Sequence, residues 1–192
     1  MRSDALRRRE AIVAAAQTVF AHGANSGTLE DVAKVAKVGI ATVYRNFKDK
    51  DSLLIASLGE LLGRIIDVQT ATLASFQQHP DTALRRYAHD LYNLGLAPLI
   101  VNVSEESVHE LLPHFADTRA KLIKNNRAIV GLARDKQLIR PEISSRFFIA
   151  GLIQAARPPA QSLLFPVENL ERQLIDTFLA GLHPGTCHSI EE

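Results

Sequence analysis

Two short apolar-periodic segments, Leu29 to about Ala36 and about Ile40 to Phe47, stand only about three residues apart. Helices this short cannot each bury a face of their own, so they must cross and share one core. Val32, Val35 and Ala36 supply the inner face of the first, and Ile40, Val43 and Phe47 that of the second. Ala33 is small where the two approach most closely. That packing turns Ala41, Thr42, Tyr44, Arg45 and Asn46 outward or along the edges. A donor-rich face of this kind suits the major groove of double-stranded DNA, which admits one helix.

The surroundings of this pair fit a polyanion. Thr28 precedes Leu29-Glu30-Asp31, close to a capping box with Asp in place of the usual Glu. The free N–H groups of that helix start attract phosphate. Lys48 and Lys50 flank the groove at the start of a long helix, and Arg7, Arg8 and Arg9 are placed to reach a backbone or the minor groove. Phosphate contacts fix register, while base contacts come from the helix at Ile40 to Asn46. Residues 1–55 carry nine basic and six acidic side chains, and the remainder is slightly acidic, although the net charge of the whole is only +1.

Helical spacing continues almost everywhere else. From Asp4 to Ala21, Ala5, Ile12, Ala16, Val19 and Phe20 line one face before His22-Gly23 ends the run. Asp49 opens a long helix carrying Leu54, Leu58, Leu61, Ile65 and Val68 to about Phe76. Further helices are expected over Asp81 to about Leu96, Glu105 to Leu112, Ala116 to about Lys136, Glu142 to Arg157, and Val167 to Leu182. No stretch alternates as a strand does, so the expected class is all-α.

Other function classes find little support. Hydrophobic residues are 46% and charged residues 22% of the chain, an ordinary globular balance. No apolar run is long enough to span a membrane, and no apolar signal core follows the charged Met1 to Glu10. The single cysteine, Cys187, excludes an internal disulfide framework and a cysteine-rich zinc site. A cytoplasmic protein is expected. His109-Glu110 and His114 are five apart with Pro113 between them, whereas a zinc-protease helix needs four, so no catalytic metal is expected. No G-x-S-x-G, phosphate-cradling glycine loop or cysteine–histidine pair occurs, so neither an enzyme nor a cofactor is expected.

Over residues 9–54 the chain resembles the tetracycline-repressor (TetR) family of transcriptional regulators. The resemblance rests on Ile12, Ala15-Ala16, Phe20, Gly23, Thr28, Asp31-Val32-Ala33, Ala36, Val38, Thr42-Val43-Tyr44, Phe47, Lys50 and Leu53-Leu54, in order and spacing. It implies a three-helix helix-turn-helix head, residues 1–48, on a helical bundle body, residues 49–192, that dimerises. It also implies that Thr28, Thr42, Tyr44 and Lys50 contact the DNA backbone, and that Ala41, Arg45 and Asn46 lie at or near base edges. The family usually has Gly in the turn where this chain has Lys37, a residue that either softens the turn or adds a phosphate contact. The function implied is repression at a near-palindromic operator by a homodimer, with release by a small-molecule effector. A ligand-independent DNA binder and an activator are the alternatives.

The body is less explicit. Phe147-Phe148, Ala150-Gly151, Ala155 and Ala156 give one helix a small-residue strip, and Leu170, Leu174, Ile175, Phe178, Leu179 and Leu182 give the last a wide apolar stripe. With symmetry mates these make a four-helix dimer interface; alternatively both stripes are internal core. Candidate ligand contacts are His89, Tyr92 and Asn93 on one helix, with Phe115, Asn125-Asn126, Phe148 and Gln154 placed to face them.

Overall fold

Helix forms where the apolar spacing calls for it, and no strand occurs among the described residues. A computed structural model describes residues 2–20, 27–95, 112–156 and 167–185. Among these are eight α-helices: α1 (Arg2–Phe20), α2 (Leu29–Ala36), α3 (Ile40–Asn46), α4 (Lys50–Ser75), α5 (Pro80–Asn93), α6 (Ala116–Asp135), α7 (Ser145–Ala155) and α8 (Leu170–Gly181). A 3-10 turn, Leu112–Phe115, leads into α6. The helix expected over Glu105 to Leu112 lies outside the described residues except for its last position, and so do His22-Gly23, His109 and Cys187. The described residues divide into two compact units, one within 1–63 and 98–116, the other within 64–97 and 117–192, so the division falls inside α4.

In the first unit, Ile12, Val13, Ala16 and Phe20 of α1 pack with Leu29, Val32 and Ala33 of α2, Val43 of α3, Phe47 and Leu53. Each large side chain removed from water in this way contributes roughly 1.5–3 kcal/mol. Three expected core positions are corrected. Ala5 is exposed, because residues 7–10 are all charged and the apolar face of α1 begins only at Ile12. Val35 is 49% exposed: at about 100° per residue it lies beyond the arc that Leu29, Val32 and Ala33 bury. Ile40 is 36% exposed because it opens α3, where no preceding turn covers it.

The second unit centres on Tyr87, Phe148, Ile129, Val130, Ala133 and Ile175, all fully buried. Tyr87 and Phe148 stack with ring centroids 6.3 Å apart and planes 4° apart. Gly151 of α7 lies against Phe178 of α8, where an added Cβ would come within 2.4 Å of the ring. The small-residue strip therefore serves a close approach within the chain. Two helices start later than expected. Ser144 caps α7 by accepting the Phe147 amide at 3.0 Å, while Glu142 instead pairs with Arg140 at 3.0 Å. Asn169 has φ +53°, a left-handed turn through which no helix runs, so α8 starts at Leu170 rather than Val167. Gly95, at φ +73°, follows the end of α5, short of the expected Leu96.

Candidate nucleic-acid interface

The interface is built from the α2–turn–α3 unit. Thr28 accepts the Asp31 amide at 3.1 Å, and the Thr28 amide donates back to Asp31 Oδ2 at 3.2 Å, so the expected capping box forms with Asp. The Thr28 hydroxyl also donates to Asp31 Oδ2 at 2.8 Å. These two bonds, the hydroxyl's first, hold the Asp31 carboxyl below its ordinary value, with a smaller contribution from Lys34.

At the other end of α2, Lys37 takes φ +55°, ψ +42°. Its amide reaches the Lys34 carbonyl at 3.2 Å, and the Val38 amide reaches Ala33 at 3.0 Å, which closes the helix and turns the chain. Gly39 then leads into α3, whose outer surface carries exposed Ala41, Tyr44 and Arg45 with half-buried Thr42 and Asn46. Tyr44 is 52% exposed, an unusual position for an aromatic ring without a partner surface. Arg45 Nε donates to the Ala41 carbonyl at 3.2 Å and Asn46 Nδ2 to Thr42 at 2.8 Å, which hold both side chains along the helix. The far end of α3 is anchored by the Arg9 guanidinium, 4.9 Å from the centroid of the Phe47 ring.

Lys50 behaves differently from the other predicted contacts. Its ammonium donates to the Gly27 carbonyl at 2.7 Å and sits 5.2 Å from the Phe20 ring centroid. Lys48 is exposed beside Asp49, whose carboxylate accepts the Ser52 amide at 2.8 Å to start α4.

This arrangement is a helix-turn-helix with a solvent-facing second helix. Residues 12–57 match the bacterial regulatory proteins of the tetR family. The likeness to that family is carried by the helix-turn-helix head. A TetR transcriptional regulator of Streptomyces coelicolor, SCO0520, is 25% identical over 92% of this chain and 99% of that one, with TM-score 0.64. Two more distant structures show the shared fold. The fatty acid degradation regulator FadR of Bacillus halodurans is 18% identical over 94% of this chain and 97% of its own, with TM-score 0.70. NalD, the secondary repressor of the MexAB-OprM multidrug efflux pump in Pseudomonas aeruginosa, is 20% identical over 94% and 99%, with TM-score 0.57. No curated protein matches the chain.

In the second unit most of the expected ligand contacts are dispersed. His89 meets Asp176 Oδ1 of α8 at 2.9 Å, Asn93 accepts from Arg172 at 2.9 Å, and the Arg172 guanidinium lies 5.6 Å from the Tyr92 ring centroid. These three residues thus bind α5 to α8. The His89 hydrogen bond, ahead of the His89 and Arg85 charges, holds the Asp176 carboxyl below its ordinary value. Gln154 is exposed, Asn125 half-buried, and Phe148 is core. Phe115 belongs to the first unit, against Gly59.

A buried polar chain of which the sequence pointed only to Asn126 occupies the second unit. Gln69 Nε2 donates to Tyr87 Oη at 3.2 Å and to the Leu122 carbonyl at 3.1 Å. Tyr87 donates to Asn126 Oδ1 at 3.3 Å, and Asn126 Nδ2 to the Ser145 carbonyl at 2.8 Å. Burial pushes the Tyr87 phenol up to about 12, so it stays a neutral donor. Isolated polar residues on apolar helix faces were the signal available. Among the described residues no group of three or more His, Cys, Asp or Glu is placed to hold a metal ion, and no helix is long and apolar enough to cross a membrane.

Proposed function

We propose that the protein is a repressor that occupies a near-palindromic operator as a homodimer and is released by a small molecule bound in the body, residues 49–192. The observation that carries the reading is the exposed surface of α3, with Tyr44 and Arg45 open to solvent on a head matched to the tetR family. Two heads would enter successive major grooves roughly 34–36 Å apart. Thr28, Lys37, Thr42 and Tyr44 would position the head on the backbone, and Ala41, Arg45 and Asn46 would face base edges. Lys50 is the least suited of the predicted contacts because Gly27 and Phe20 already engage its ammonium.

Dimerisation is supported by the outer side of α7 and α8, where Phe147 is 54% and Leu174 41% exposed. Exposed large apolar side chains on two neighbouring helices offer a surface that a second copy could cover. The effector acts by binding one head spacing more tightly than the other, through α4, whose residues run from the head into the body. About 1–3 kcal/mol of coupling is the usual scale. Repression rather than activation follows the family's usual mode.

The reading is tested on α3. Arg45→Ala should lower affinity for the selected operator by about tenfold or more, since a bidentate base contact is worth roughly 1–3 kcal/mol. Its affinity for random duplex should change much less. Tyr44→Ala should weaken both alike. Equal losses on the two duplexes for Arg45→Ala would remove Arg45 from base reading.

A further inference from the structure

Polar side-chain atoms buried in a folded chain almost always find a partner, because one left unpaired loses its hydration with nothing in return. Among the described residues two such atoms have none, Gln69 Oε1 and His89 Nδ1. The His89 side chain is 20% exposed, and its other ring nitrogen already meets Asp176. Gln69 is only 2% exposed, inside the second unit. Chemistry fixes its orientation: the Leu122 carbonyl only accepts, so the amide nitrogen faces it at 3.1 Å and the oxygen is turned away. From there every donor points one way, Gln69 to Tyr87, Tyr87 to Asn126, and Asn126 to the Ser145 carbonyl. The chain of bonds ends on a backbone carbonyl and begins on an acceptor that lacks a donor.

We propose that Gln69 Oε1 is the polar anchor of the body's small-molecule site, and that its ligand is an uncharged, mainly apolar molecule donating one hydroxyl or amide N–H. This names the chemistry of the effector invoked above and rests on that reading. Apart from the Tyr87 hydroxyl, the buried polar side chains among the described residues are Ser57, Gln69, Thr72 and Asn126, none of them charged. A carboxylate or ammonium brought beside Gln69 would lose its hydration without a buried counter-charge, a penalty that a neutral donor avoids. The rest of that interior is built from side chains such as Leu84, Ile129 and Phe148, so the frame of the ligand is apolar too. A donor at Oε1 also polarises the Gln69 amide and strengthens its bonds to Tyr87 of α5 and Leu122 of α6. Gln69 itself stands on α4, so occupancy of the site acts directly on that helix.

Phenol, anisole and benzoate share one ring and differ in what they offer: a neutral donor, no donor, and an anion. Their affinities are read from the concentration dependence of the melting temperature of the full chain, for the wild type, Gln69→Leu and Gln69→Met. Phenol should bind the wild type about three- to tenfold more tightly than anisole, the span of one net hydrogen bond, and benzoate should bind weakest. In both variants phenol should lose that advantage and match anisole. Should Gln69→Leu not fold, the similarly shaped Gln69→Met decides it. Phenol and anisole equal in the wild type, benzoate as tight as phenol, or a phenol advantage that survives in the variants overturns the assignment. No binding by any of the three overturns it as well, and leaves the acceptor to a buried water. Affinity for the selected operator is measured alongside. Phenol that saturates the wild type through Gln69 yet leaves operator affinity unchanged overturns release by a ligand at this site and leaves the binding assignment standing. Release by phenol that is equally strong in the Gln69 variants does the reverse.

Discussion

Replacing Phe148 with alanine should destabilise the second unit by about 3–5 kcal/mol, seen as a lower denaturant midpoint. Phe148 is fully buried, stacks on Tyr87 and meets the Phe178 ring at 6.2 Å. Removing its ring leaves a void between two other aromatic rings that are themselves fixed. Tyr87 is tied to Gln69 and Asn126, and Phe178 fills the space above Gly151, so neither collapses easily into the gap. Phe148→Leu should lose distinctly less. A loss below about 1 kcal/mol for the alanine variant would mean that the aromatic cluster is not the centre of this unit.

The second large effect concerns assembly. Phe147→Asp combined with Leu174→Asp should turn the proposed dimer into a monomer by sedimentation. It should also reduce affinity for a two-half-site duplex by about 10²–10⁴, the loss expected when two linked binding events become one. Both residues are more than 40% exposed, so the substitutions spare the monomer fold and their effect is read as assembly. A variant that remains dimeric would show that the exposed apolar side of α7 and α8 is not the contact between copies.

What was legible in the sequence followed distance along the chain. The Thr28 cap, the three-residue turn and the lengths of α2 and α3 are set by residues within a few positions of one another. They appear as T-x-x-D and as adjacent apolar periods. The left-handed turn at Lys37 was indicated only through the resemblance, since the family usually has Gly there and a lysine alone gives no such signal. Short helices defeat the same reasoning at their rims: eight residues in α2 are too few to separate Val35 from the buried arc by pattern alone.

Tertiary pairing was not legible. Gln69 and Tyr87 are 18 positions apart and Tyr87 and Asn126 39 apart, and nothing local marks them as one chain of hydrogen bonds. His89, Tyr92 and Asn93 have the composition of a ligand site, but Asp176 meets the His89 ring nitrogen and Arg172 meets the Asn93 amide oxygen and the Tyr92 ring. Lys50 has the position of a DNA contact, and a carbonyl 23 positions earlier engages it. In each case the residue type indicated what the group can do, while its partner was fixed by how distant helices meet.

The central claim is that α3, presented twice by a dimer, reads sequence. Selection of duplex fragments from a random pool, with the purified protein near physiological salt, tests it most directly, since sequence-independent binding is weak there. The account predicts enrichment of an inverted repeat whose half-sites lie about 10–10.5 base pairs apart, or a multiple of that. No enrichment, with binding that fades as salt rises and is indifferent to Arg45→Ala, would contradict it.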